Sequence, residues 1–156
     1  MDRLEMRKRR VYNHVKMERS NTYSISEPKN VLIKYQYISV FTQIKVIMGG
    51  GRQKFTPKGV DDPEGGDGGK REDGKNLIQI WLAQKTILGN ASYVWHRDDF
   101  LTVDTANTDY LLGLFDWGHM EYAIENDLSN PSLEEMTKSA IEILQNDPNG
   151  YFLFVE

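Results

Sequence analysis

Four groups of side chains in this sequence have types and spacings that could do chemistry. Glu156 stands at the tip of the apolar run Tyr151-Phe152-Leu153-Phe154-Val155, after the turn Asp147-Pro148-Asn149-Gly150. In an open α/β sheet, ligands gather at the carboxyl ends of the strands, so a carboxylate there is placed as a metal ligand would be. Asp61, Asp62, Glu64 and Asp67 crowd one short stretch. Hard cations such as calcium take carboxylate and carbonyl oxygens from loops of this kind. The EF-hand spacing is absent, so a solvated acidic loop is the plainer reading. His96-Arg97-Asp98-Asp99 offers a histidine beside two carboxylates, a pattern more often met at a polar loop or helix start than at a metal. Gly49-Gly50-Gly51-Arg52 follows an apolar run, as phosphate cradles do. Pro57 closes the way to an immediate long helix, and neither a Gly-Lys-Ser/Thr nor a GxGxxG pattern is present. The glycines therefore read as a strand exit.

The elements that would position these groups alternate. Ile44–Met48 is the clearest strand in a Val-, Ile- and Tyr-rich stretch over 31–48. Residues 57–75 form a loop, since Pro57, Pro63, Gly59, Gly65, Gly66, Gly68, Gly69 and Gly74 sustain neither helix nor strand. A helix is expected from Asp73 to Gln84, capped by Asp73 and burying Leu77, Ile80, Trp81 and Gln84. Tyr93–Trp95 and Tyr110–Phe115 read as strands. A second helix starts near Asn130-Pro131-Ser132, with Pro131 in its first turn and Ser132 and Glu135 spaced as a capping box. Its buried stripe is Leu133, Met136, Ala140, Ile143 and Leu144. Tyr151–Glu156 reads as a final strand buried on both faces. A polypeptide seldom finishes on such a strand, so the sequence reads as a piece of something longer, with marginal stability alone. The alternation predicts an α/β sheet with helices packed on it.

Composition narrows the function. The chain has 156 residues, a net charge of −4 and no cysteine, which excludes disulfides and thiolate metal sites and makes no general case for nucleic-acid binding. The basic run Arg7-Lys8-Arg9-Arg10 lacks aromatic interleaving and reads as a solvated tail. No run is long enough to span a membrane, and no signal-peptide core follows Met1. Asn90-Ala91-Ser92 fits the N-glycosylation pattern, which matters only in a secreted protein.

Several stretches, taken in order, carry a resemblance. They are Val46-Ile47-Met48-Gly49-Gly50-Gly51-Arg52, Asp73-Gly74-Lys75-Asn76-Leu77, Tyr93-Val94-Trp95-His96-Arg97 and Leu112-Gly113-Leu114-Phe115-Asp116. After them come Met120-Glu121-Tyr122, Asn130 to Met136, and Gly150 to Glu156. Together they resemble the middle of animal alkaline phosphatases of the tissue-nonspecific and intestinal type, over about residues 44–156; residues 1–43 stand outside the resemblance as an unmatched basic segment. The resemblance implies part of a three-layer α/β/α fold with an incomplete central sheet. It implies a phosphate monoester hydrolase that works through a phosphoserine, with two zinc ions and a magnesium ion in the complete protein. Glu156 matches a magnesium ligand of the family. Glu64, Phe115 (through its carbonyl), Asp116 and Asn130 match a calcium site, with Asp116 as a shorter acid in place of a glutamate and Asn130 as a neutral amide in place of an aspartate; the one lost charge should weaken binding. Asp116-Trp117-Gly118-His119 departs from the family's Glu-Pro-Gly-Asp, and His96 and Asp98 replace the family's sequon.

The serine nucleophile in Asp-Ser-Ala and the zinc ligands in Asp-His-Gly-His-His have no counterpart in this sequence; His14, His96 and His119 occupy no zinc position. The resemblance further implies a homodimer acting on phosphate monoesters outside the cell, held by a lipid anchor. It leaves the isolated chain inactive. The alternative is a truncated, non-catalytic calcium-binding module.

Overall fold

The computed structural model divides into two units, Met1–Gln43 and Ile44–Glu156, and describes residues 44–65, 68–125 and 128–156. The basic run, the strand-like residues before Ile44, His14, Gly66 and Asp67 lie outside the described residues.

In the second unit the elements run β1 (Val46–Gly49), a 3-10 turn (Arg52–Lys54), α1 (Leu77–Lys85), β2 (Ala91–Val94), α2 (Arg97–Leu101), β3 (Tyr110–Leu114) and α3 (Leu133–Leu144). The three strands form a parallel sheet in the order β1-β3-β2. Ile47 pairs with Leu112, and Tyr93 pairs with Leu112 from the other side. β3 is therefore central, which explains its continuous apolar sequence: Leu111 and Leu112 are fully buried.

Alternate β3 residues feed two cores. Leu111 packs with Val94, Phe100, Phe115, Met136 and Ile143 on the face covered by α2 and α3. Leu112 and Leu114 pack with Trp81 of α1 on the opposite face. Helices thus cover both faces, the three-layer arrangement expected of this sequence. Phe115 meets Phe100 edge to face at 5.2 Å, and its ring folds back over Gly113, where a Cβ would come within 2.5 Å of it.

Local signals explain most boundaries. Ser132 caps α3 and forms the expected capping box with Glu135, whose Oε2 accepts from Ser132 N at 2.8 Å. His96 caps α2, its Nδ1 accepting from Asp98 N, so His96-Arg97-Asp98-Asp99 is a helix start. Four expectations need correction. Asn76 caps α1 instead of Asp73, its Oδ1 accepting from Gln79 N at 3.1 Å. Asp73 is engaged by Arg71 and by Lys75 N, and Gly74 adopts a positive φ that delays helix entry. The buried side of α1 is turned by about one residue, with Trp81 and Lys85 buried and Ile80 exposed, because a buried lysine breaks the apolar pattern from which a face is read. Pro131 lies before α3 because the Ser132 side chain takes the capping role, and Leu133, the first helical residue, is exposed.

The fourth correction concerns Tyr151–Glu156. This segment forms no strand, and Phe152 and Phe154 are 86% and 71% exposed. Residues 153–156 border a cleft with Val46, Met48, Met136 and Ala140, alongside β1 and α3, without joining the ladder. β1 is an edge strand, but its open edge makes no ladder bonds to this segment, so the apolar run stays largely uncovered.

Candidate metal centre at the carboxyl end of the sheet

The exits of β1 and β3 are sewn together by the backbone. Arg52 N donates to Asp116 O and Gln53 N to Trp117 O, both at 3.1 Å, and Gly51 N donates to Gly118 O. The glycine triplet makes this approach possible. Gly51 sits at φ +84°, and a Cβ on Gly50 would lie 2.6 Å from Gly118 O. The triplet is a strand exit, as its sequence suggests, and its use here is close backbone pairing.

Arg52 fills the space this pairing creates. Its side chain is 1% exposed. Nε and Nη2 make a two-pronged pair with Asp62, each at 2.8 Å. Nη1 donates to Leu114 O at 2.7 Å, Nη2 also reaches Glu64 Oε2, and the guanidinium lies 5.4 Å from the Trp95 ring centre. Asp62 is buried too, and its Oδ1 accepts a further bond from Glu64 N. Burial alone would raise the Asp62 carboxyl above its usual range, but the bonds from Arg52 and Glu64 N outweigh it and hold the pKa below that range. The acidic loop is therefore pinned to the sheet by one arginine.

Glu64, with a side chain 40% exposed, rides on Arg52 at the rim. Phe115 is buried and donates its N–H to Gly49 O at 2.9 Å. Asp116 follows it; its Oδ1 accepts from Gly118 N at 2.7 Å and its Oδ2 faces Asn130 Nδ2 at 3.5 Å. Asp116 and Asn130 are thus brought together, and Arg52 links Glu64 to the same strand end. Among the described residues no group of three or more His, Cys, Asp or Glu side chains stands close enough to form a metal cluster by itself.

Glu156 lies apart from that set. It borders a cavity of about 440 Å³ with Gly49, Gly50, Gly51, Gln53, Lys54 and His119 at the carboxyl end of β1. Glu156 thus borders the carboxyl end of β1, and the segment carrying it is not the strand that its sequence suggests. The sequence offers no role for Arg52 and shows Asp62 only as one carboxylate of the acidic loop; the structure pairs them. The available signal was Arg52 directly after three glycines and Asp62 two residues before Glu64, but no local pattern says that they meet.

No helix among the described residues is long and apolar enough to cross a membrane. The alkaline phosphatase family model matches residues 4–156, beginning well before the stretch that carries the visible resemblance. Tissue-nonspecific alkaline phosphatase of Felis catus is 44% identical over 129 residues, covering 80% of this chain and 25% of that protein. Membrane-bound alkaline phosphatase of Bombyx mori is 39% identical over 146 residues, covering 92% of this chain and 26% of that protein. The crystal structure of Thermus thermophilus alkaline phosphatase superposes with a TM-score of 0.54 at 27% identity, covering 77% of this chain and 22% of that one. The chain spans about a quarter of the length of these curated relatives. With a helix-covered parallel sheet matched in fold, and a family model covering nearly its whole length, the chain belongs to the alkaline phosphatase family.

Proposed function

We propose that this chain is a portion of a metal-dependent phosphate monoester hydrolase that acts through a phosphoserine. Its membership of the alkaline phosphatase family over residues 4–156 carries the reading. In the complete protein zinc would activate the serine and stabilise the leaving oxygen, and magnesium would sit beside the zinc pair. Glu156 would be a magnesium ligand, and its place on the cavity at the carboxyl end of β1 supports that role. Magnesium takes about six oxygens, so one carboxylate leaves the remaining donors to other parts of the protein. The same reading makes the complete protein a homodimer held outside the cell by a lipid anchor.

Neither Asp-Ser-Ala nor Asp-His-Gly-His-His occurs in the 156 residues. The isolated chain therefore hydrolyses no phosphate ester above background. The test is release of p-nitrophenol from its phosphate at alkaline pH, with zinc and magnesium present and a complete alkaline phosphatase assayed beside it. Turnover by the purified chain that disappears with a chelator would refute the inactivity.

A second reading, a non-catalytic calcium-binding module, is favoured by the meeting of Asp116 with Asn130 and the tethering of Glu64 to the same strand end. The donors fit the ion in kind, since Glu64, the Phe115 carbonyl, Asp116 and Asn130 all offer oxygen. Calcium there would tie the acidic loop to the end of β3 through oxygen donors from both. With Asn130 neutral, affinity is expected in the weak range. This site serves either reading, as part of the enzyme or by itself.

A further inference from the structure

Asn90-Ala91-Ser92 is the one place in the 156 residues where an asparagine stands two positions before a serine or threonine with no proline between. The same spacing recurs in Asn130-Pro131-Ser132, but there the proline bars modification, and Asn130 and Pro131 are buried. Asn90 has the opposite setting. It is exposed, at the last position before β2. Its backbone is fixed: Asn90 N donates to Asp109 Oδ2 at 2.9 Å, and Asn90 O accepts from Asp109 N and Tyr110 N at 2.9 and 3.0 Å. Its side chain is held by a bond from Nδ2 to Asn107 O at 2.8 Å. An amide nitrogen has two N–H groups and keeps one when a sugar is attached, so attachment need not break this bond.

The surroundings of Asn90 are open and apolar. Ile87 and Leu88, in the turn that leads to it, are 68% and 53% exposed. Among the described residues β2 pairs with β3 alone, so its other edge has no strand beside it. An open edge and an apolar turn invite association with another chain, and a bulky hydrated glycan beside them blocks it.

We propose that Asn90 is an N-glycosylation site whose glycan covers the open edge of β2 and the turn at Ile87 and Leu88. This rests on the reading of the complete protein as lying outside the cell, since only a chain that enters the secretory route meets the transferase. The donor is a lipid-linked oligosaccharide diphosphate. Asn90 Nδ2 forms a bond to the anomeric carbon of the first sugar, the bond from that carbon to phosphate breaks, the lipid diphosphate leaves, and the nitrogen gives up one proton. Ser92 supplies the hydroxyl of the acceptor motif. In the folded chain Ser92 is paired within β2, so attachment precedes the docking of that strand, and the exposure of Asn90 leaves the sugar outside afterwards.

The test is expression of the full chain behind a cleavable secretory leader in animal cells, with peptide mapping by mass spectrometry before and after peptide N-glycosidase. The chain should carry one glycan, removed by the enzyme, which leaves an aspartate at that position. Asn90→Gln and Ser92→Ala should each lose the whole mass shift, Ser92→Thr should keep it, and the Asn130 peptide should stay unmodified. This readout needs no folded variant. Light scattering of the unmutated chain should show more association once the glycan is removed; an equal level would overturn the covering role. A secreted chain with an unmodified Asn90 peptide would overturn the site and leave the extracellular reading standing. A glycan on this chain but none at Asn90 in the complete protein from its own cells would refute the extracellular reading, and the native modification with it.

Discussion

Lys85 makes the stability of this unit depend on alkaline pH in an unusual direction. Its side chain is 1% exposed, its Nζ donates to Ile44 O at 2.8 Å, and the ammonium lies 4.3 Å from the Tyr110 ring centre. Burial, and secondarily the charge on Lys45, lower its pKa from 10.5 to about 8. The unfolded chain keeps its proton up to about 10.5, while the folded chain releases it near 8. Unfolding in that window takes up a proton, so stability rises with pH between about 8 and 10.5 and is flat on this account below and above. The full gap, at about 1.4 kcal/mol per pH unit, is worth about 3 kcal/mol. Tyr93 acts in the opposite sense only above its unfolded pKa of 10, because burial pushes its folded value to about 12. The clean comparison is therefore urea unfolding at pH 7.5, 8.5 and 9.5. The parent chain should gain about 2 kcal/mol across that series. Lys85→Met, which keeps the volume and removes the charge, should show no such gain. An equal rise in both proteins, or a fall in the parent, would refute the assignment.

Two further outcomes follow from the core and the caps. Phe115→Ala removes a ring that is 1% exposed and packed against Phe100. It should cost about 3–5 kcal/mol in chemical denaturation, with loss of cooperative unfolding if the unit is marginal. Ser132→Ala breaks the capping box at the start of α3 and should cost about 1 kcal/mol; an unchanged urea midpoint would show that tertiary packing alone holds that helix end.

Much of this was legible along the chain. The capping box Ser132–Glu135 is a four-residue signal and was readable without any neighbour. The central strand could be read from Tyr110–Phe115, because a strand covered on both faces needs no polar residue. The α1 face is not legible in the same way: Lys85 is buried, and charge normally marks solvent. Tyr151–Glu156 shows the complementary limit. Its apolar run records a tendency to be buried, but a strand exists only where ladder bonds form, and the open edge of β1 makes none to it.

By itself the sequence determined the alternating α/β order, the strand exit at the glycine triplet, the family, and the two places where carboxylates could meet a metal. Those depend on local backbone preference and on residue types at short spacing. The tertiary structure alone decided the strand order β1-β3-β2, the meeting of Asp116 with Asn130, and the clamp that Arg52 forms with Asp62, Glu64 and Leu114 O. Arg52 and Leu114 are 62 residues apart. Their contact exists because two parallel strands end side by side, and buried charge and carbonyl groups placed there must satisfy one another where water is excluded.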